Sequence, residues 1–233
     1  MAQILMNNPD GTKESILIIS DFPERVSTSL VSSLGFEDKT HDDEQIAVLN
    51  LGGQERLAVP DVFYDGYIQV LTDARKHVGQ WIDTVDSSLL IGLGLGGLVA
   101  LWACADNRQA PVRGIVAIGS TPHLEFLKDR HPYYDWPADP VKKTLLDWDV
   151  SYKVPRIGSR HVLLLHGDHD QVIGANWIEE FFLLATGVSR FPDHWEYHRI
   201  RGLGHDWDHE GQAVQEARQY LHAFRKKVAT LVG

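Results

Sequence analysis

Cysteine is almost missing from this sequence. Cys104 stands alone among 233 residues, which excludes an intrachain disulfide and gives no sign of an oxidising compartment. Positive charge is scarce as well: 22 Lys and Arg face 32 Asp and Glu, a net charge of −10. No basic run is interleaved with aromatics, which argues against nucleic acid as a partner. Long hydrophobic runs are also wanting. The most apolar stretch, 89–105, is short for a membrane span and is broken by glycines at 92, 94, 96 and 97. The first ten residues hold no basic segment followed by an apolar one, so no signal peptide is expected and the cytoplasm is the expected location.

What is present suits one globular core. The 43% hydrophobic and 23% charged content is ordinary for such a domain, and the length favours a single domain over 1–233. Short β-branched or aliphatic runs alternate with longer helical patterns. The runs are Ser15–Ser20, Gln45–Asn50, Ser88–Gly92, Arg113–Gly119, His161–His166 and a weaker Tyr197–Arg201. Most have an interior that is apolar on both faces, as buried parallel strands do. Helical spacing is expected over Pro23–Leu34, Tyr67–Thr84, Gly97–Ala105, Ala175–Thr186 and Gly211–Leu231. Such alternation predicts an α/β fold, a doubly wound and mostly parallel sheet. One segment breaks the rhythm. Residues 121–159 are longer than an ordinary connection and carry Tyr133, Tyr134, Trp136, Trp148 and Tyr152, which reads as a lid or binding insert.

The strongest motif is Ile91-Gly92-Leu93-Gly94-Leu95-Gly96-Gly97-Leu98, which follows a strand and opens a helix. In the nucleophile elbow, G-x-S-x-G, a serine occupies a strained strand-to-helix turn. Gly92 and Gly96 are the flanking pair here, and Gly94 stands where the serine belongs. The same glycines also spell G-x-G-x-x-G. A dinucleotide site needs an acidic residue at the end of the next strand, and Ala117-Ile118-Gly119-Ser120 supplies none. Downstream, a strand runs into His166-Gly167-Asp168-His169-Asp170, and the last strand runs into Gly202-Leu203-Gly204-His205.

Elbow, acid, histidine is the chain order of α/β hydrolases. On those segments, with Asn50-Leu51-Gly52-Gly53, the sequence resembles the α/β-hydrolase superfamily of serine esterases, lipases and thioesterases from about residue 15 to 210. The resemblance implies Asp170 as the triad acid, His205 as the base and Gly94 as the vacated nucleophile position. Asp168 is the alternative acid. It also implies an oxyanion hole from the backbone N–H groups of Leu95 and Phe22, although Asp21 places a carboxylate where the family carries glycine.

These departures point away from acyl transfer. The reading is a hydrolase-like protein, inactive or reduced in activity, that binds a small, partly apolar, ester- or acyl-like ligand beneath the insert. One alternative is an ordinary ester or thioester hydrolase whose serine has been replaced by mutagenesis. Another is an enzyme that uses the His205–Asp170 dyad as a general base. Neither Ser20 nor Ser120, at the ends of the strands flanking the elbow, lies on a turn built to present an oxygen. No cofactor is expected, and no metal. The twelve histidines, including those in 166–169 and 205–209, form no compact zinc pattern.

Overall fold

The computed structural model describes residues 4–7, 14–20, 34, 36, 44–51, 63–127, 141–205 and 211–230. Its strands are β1 (Ile4–Asn7), β2 (Glu14–Ser20), β3 (Glu44–Asn50), β4 (Ser88–Leu93), β5 (Val112–Ile118), β6 (His161–Gly167) and β7 (Trp195–Ile200). The described helices are α1 (Phe63–Ile82), α2 (Leu95–Asp106), α3 (Val141–Asp147), α4 (Val154–Ile157), α5 (Ala175–Val188) and α6 (Gln212–Ala229). The strands form one sheet in the order β1-β3-β2-β4-β5-β6-β7, parallel throughout except for β1.

Each of the six predicted strands is present, with ends displaced by at most two residues. Their continuous apolar character has a direct cause, since both faces of the sheet are covered. On one face Leu17, Ile19, Leu90, Ile115, Val162 and Leu164 pack with residues of α1, α2 and α5. On the other, Ile16, Ile18, Leu89, Ile91, Val116 and Leu163 pack with Val214, Ala217, Leu221, Phe224 and Val228 of α6. β1 was not predicted. It is four residues long and touches the sheet only through antiparallel pairing with β3, so no two-sided burial marks it in the sequence.

Helix α1 begins a turn earlier than its apolar spacing indicates, at Phe63, and buries Val70, Leu71, Ala74, Val78, Trp81 and Ile82. Helix α2 is of another kind. Every residue from Leu95 to Ala105 is buried, so it has no solvent face and its polar side chain appears only at Asp106. No described helix is long and apolar enough to cross a membrane. The predicted helix Pro23–Leu34 lies outside the described residues apart from Leu34, as do 128–140 of the insert. The described parts of the insert hold α3, a 3-10 turn at Val150–Lys153 and α4.

The sheet order reverses between β2 and β4, because the chain proceeds from β2 outward to β3 and then returns to β4 on the other side. Crevices at the carboxyl ends of strands at such a switch point are where open α/β sheets bind ligands. The elbow motif lies there.

Candidate active site

Strand β4 passes into helix α2 through a single residue, Gly94, at φ 51° and ψ −122°. This is the positive-φ half of the map that a residue with a Cβ adopts only at a cost. The turn is held from both ends: the Gly94 N–H donates to the Ile118 carbonyl at 2.8 Å, and its carbonyl accepts the Gly97 N–H at 3.1 Å. The neighbouring glycines are dictated by contact. A Cβ on Gly92 would fall on the Gly96 carbonyl, and one on Gly96 would fall on the carbonyl oxygen of Ile19 in β2. Gly97 leaves room for the side chain of Ser120, whose oxygen would lie 2.5 Å from a Cβ at 97. Leu95 opens α2, where the first N–H groups have no intrahelical acceptor. The other oxyanion candidate, Phe22, lies outside the described residues together with Asp21.

The acid and the histidine meet two strands away. Two loops at the carboxyl ends of β6 and β7 are laced together by backbone bonds: Asp168 N–H to Ile200 O at 3.1 Å and His169 N–H to Leu203 O at 3.1 Å. Gly167 permits this approach, because a Cβ there would collide with the Leu203 carbonyl. Across this seam His205 Nδ1 lies 2.9 Å from Asp170 Oδ2. The other oxygen, Oδ1, accepts the N–H groups of Val172 and Ile173, each at 2.8 Å. One carboxylate thus ties its own turn ahead of α5 and orients the histidine. Asp168 does neither. Its Oδ1 accepts the Gly202 N–H at 2.6 Å, which makes it a loop clasp and leaves Asp170 facing His205.

Burial by itself would raise the Asp170 carboxyl. Hydrogen bonds from His166 and His205 and the Ile173 N–H outweigh it and hold the group well below the usual carboxylate range. His166 was not singled out from sequence as part of this arrangement. Fully buried at the end of β6, it donates from Nε2 to the Ile173 carbonyl at 2.9 Å and stands 3.4 Å from Asp170 Oδ2. A histidine closing an otherwise aliphatic strand run was the available signal. Gly119 was missed too. At φ 55° its Cα faces the pair, so that a Cβ there would stand 3.3 Å from Asp170 Oδ2 and 3.7 Å from His205 Nδ1. Because Gly94 bonds to Ile118, the residue before Gly119, the elbow and the acid–histidine pair flank the same strand end.

Ser20 and Ser120 are both buried at this edge. Ser20 Oγ donates to the Leu49 carbonyl at 3.4 Å, and Ser120 Oγ has no hydrogen-bond partner among the described residues. Cys104 is enclosed in α2, where burial pushes its thiol up to about 12 against the weaker opposing pull of Arg160; it is an apolar filler rather than a nucleophile.

The described part of the insert borders a cavity of about 440 Å³ against α5. Pro122, Tyr152, Trp177 and Leu184 give it apolar walls, with Glu125 and Glu180 also in its lining. His123 sits edge-on to Trp177 at 4.8 Å between ring centroids.

No family model and no curated relative matches the sequence. Solved structures do match in three dimensions. MGS-MChE2, an alpha/beta hydrolase enzyme from the metagenome of lagoon sediments at Mar Chica, Morocco, superposes with a TM-score of 0.65 at 17% identity, over 97% of this chain and 95% of that one. Est1E from Butyrivibrio proteoclasticus gives 0.63 at 14% identity, over 98% and 94%. The Paleococcus ferrophilus monoacylglycerol lipase gives 0.62 at 13%, over 99% of both chains. Sheet order, elbow turn and near-complete superposition lead to one statement: this chain has the α/β-hydrolase fold.

Proposed function

We propose that this protein is a hydrolase-fold chain without acyl-transfer activity, which binds a small, partly apolar, ester- or acyl-like molecule under the 121–159 insert. The observation that carries the reading is Gly94. A nucleophilic mechanism needs an oxygen on the elbow, and the residue there has no side chain while the turn keeps φ 51°. Leu95 N–H, with Phe22 N–H as its partner, would hold the ligand's carbonyl oxygen, and the aromatic and apolar walls beside α5 would receive its hydrocarbon part. With a solitary buried cysteine and no disulfide, we place the protein in the cytoplasm.

A second reading rests on the 2.9 Å bond between His205 and Asp170. A carboxylate that fixes the imidazole at Nδ1 leaves Nε2 available to take a proton from a bound substrate or water. Under that reading the protein is a general-base enzyme without a covalent intermediate.

Gly94→Ser tests both. If the ligand is ester-like and the elbow is only disarmed, the variant gains weak esterase activity on short-chain chromogenic esters, and His205→Ala abolishes the gain. A serine-directed fluorophosphonate probe then labels the variant and leaves the parent unlabelled. Labelling of the parent, mapped to Ser20 or Ser120, would overturn the non-acylating reading. Folded Gly94→Ser protein that is no more active than the parent on short and long acyl esters would leave the site to binding alone.

A further inference from the structure

The opposite edge of the sheet, where β5 and β6 begin, carries a second feature that the hydrolase fold does not explain. A cavity of about 340 Å³ lies there among the residues after α2, helix α4 and the end of α5. Arg108, Arg156, Arg160 and Arg190 line it, and no aspartate or glutamate does. Four arginines along one cavity, with no carboxylate in its lining among the described residues, run against the net charge of −10 of the whole chain.

Their hydrogen bonding is unusual as well. Arg160 is 6% exposed. Its Nη1 donates to the Ile157 carbonyl at 2.8 Å, and its Nη2 reaches the carbonyls of Asn107, Arg108 and Ala110 at 2.8, 3.0 and 3.0 Å. Those bonds fix the plane of the guanidinium against carbonyls at the ends of α2 and α4, which offset part of its charge, and no carboxylate is paired with it among the described residues. The Nε atoms of Arg160 and Arg156 are buried with no hydrogen-bond partner among the described residues. Among the described residues, no ion pair involves any of the four arginines. Desolvating a cation without an anion is costly, and a ligand that brings the anion offsets the cost.

We propose that this cavity is a binding site for a multiply charged anion of the phosphate class. The planar forks of arginine match the oxygens of a phosphate group in pairs, and several arginines suit a multiply charged anion better than a single carboxylate. Arg160, immobilised by four carbonyls, keeps its Nε to offer, and Arg108 and Arg190, both exposed, would supply guanidinium forks to the ligand. The Phe191 ring at the rim would lie against any organic portion. This site is separate from the elbow, because β6 enters the sheet here at His161 and reaches the acid–histidine edge only at Gly167, about 20 Å away at the usual rise of a strand.

Calorimetric titration of the full chain at low ionic strength tests the proposal, with inorganic pyrophosphate, inorganic phosphate, phenyl phosphate and succinate as probes. Saturable one-to-one binding is expected, with pyrophosphate tightest and succinate weakest. Arg108→Gln and Arg190→Gln should each weaken pyrophosphate about tenfold, the loss of a charge-assisted bond, while their melting temperatures stay at the parent value because both side chains are exposed. Arg201→Gln removes the same charge beyond the end of β7 and should leave binding unchanged. Phenyl phosphate separates the sources of the anion: binding tighter than phosphate and reduced by Phe191→Ala indicates a phosphate ester, and equal binding indicates a free phosphate. The proposal is overturned by an absence of saturable binding into the millimolar range, by succinate outcompeting pyrophosphate, or by Arg201→Gln weakening binding as much as the cavity variants.

Discussion

The elbow and the acid–histidine corner sit at the same edge of one sheet, yet they are held in place by different kinds of interaction. At the elbow the constraint is backbone geometry. Gly92 and Gly96 are required because carbonyl groups occupy the space where a Cβ would go, and Gly94 holds a positive φ between strand and helix. At the corner the constraint is hydrogen bonding by side chains: Asp170 is engaged by His205 at 2.9 Å and by two backbone N–H groups at 2.8 Å. A turn built by the backbone therefore does not depend on a side chain at its centre. Removing the acid from the corner would not leave the corner intact. The difference explains how the strand-to-helix turn forms around a residue that has no side chain.

The largest effect should come from breaking the elbow. Gly96→Ala forces a methyl group onto the Ile19 carbonyl at the centre of the sheet. Overpacking of this kind costs on the order of 3 kcal/mol, which for a chain of this size lowers the melting temperature by about 6–12 °C. Scanning calorimetry that found Gly96→Ala as stable as the parent would show that the close approach is slack.

A smaller loss is expected at the corner. Asp170→Asn keeps an acceptor for the turn but loses the charge that His166 and His205 address, a change of roughly 1.5–3 kcal/mol for hydrogen bonds to a charged group. The pH dependence sharpens this. The folded protein holds the Asp170 carboxyl below its unfolded value, so its contribution is complete above about pH 4 and is lost as the pH falls further. The acid limb of melting temperature against pH should therefore be steeper in the parent than in Asp170→Asn. Parallel limbs would mean that the pair adds nothing to stability.

Gly94→Ser should be the mildest of the site changes for stability, with a cost of about 1–3 kcal/mol for a non-glycine residue at positive φ. Its ranking below Gly96→Ala by thermal melting is the sharpest check that the backbone, and not the identity of residue 94, maintains the turn.

The last effect lies away from the site and separates it from general acid sensitivity. Burial, followed by the charges of His194 and Lys227, lowers His161 to about 4. The folded state thus binds fewer protons than the unfolded one between about pH 6.5 and 4, and stability falls across that window as the pH drops. His161→Gln should flatten the melting curve between pH 6.5 and 4 while leaving the limb below pH 4, where Asp170 acts, unchanged.

Much of this was legible in the sequence because it is local or periodic. Six strands declared themselves as apolar runs, since a sheet covered on both faces needs no polar alternation. The strand-to-helix turn announced itself through glycines two residues apart, with Gly94 at its centre. The order of elbow, acid and histidine along the chain was equally visible. Contacts between distant segments were not. The resemblance favours Asp170 over Asp168 by register, but the contacts of each come from the seam between the loops after β6 and β7, which gives Asp168 to Gly202 and Asp170 to His205. His166 and Gly119 joined that corner through tertiary approach, and β1 joined the sheet through pairing with β3 alone. The four arginines lie 82 residues apart from first to last, from Arg108 to Arg190, and no pattern along the chain links them. Residue type and periodicity reach only as far as the neighbouring turn or strand. Which side chains share a cavity, and which charges go uncompensated, was decided when the strands were set side by side.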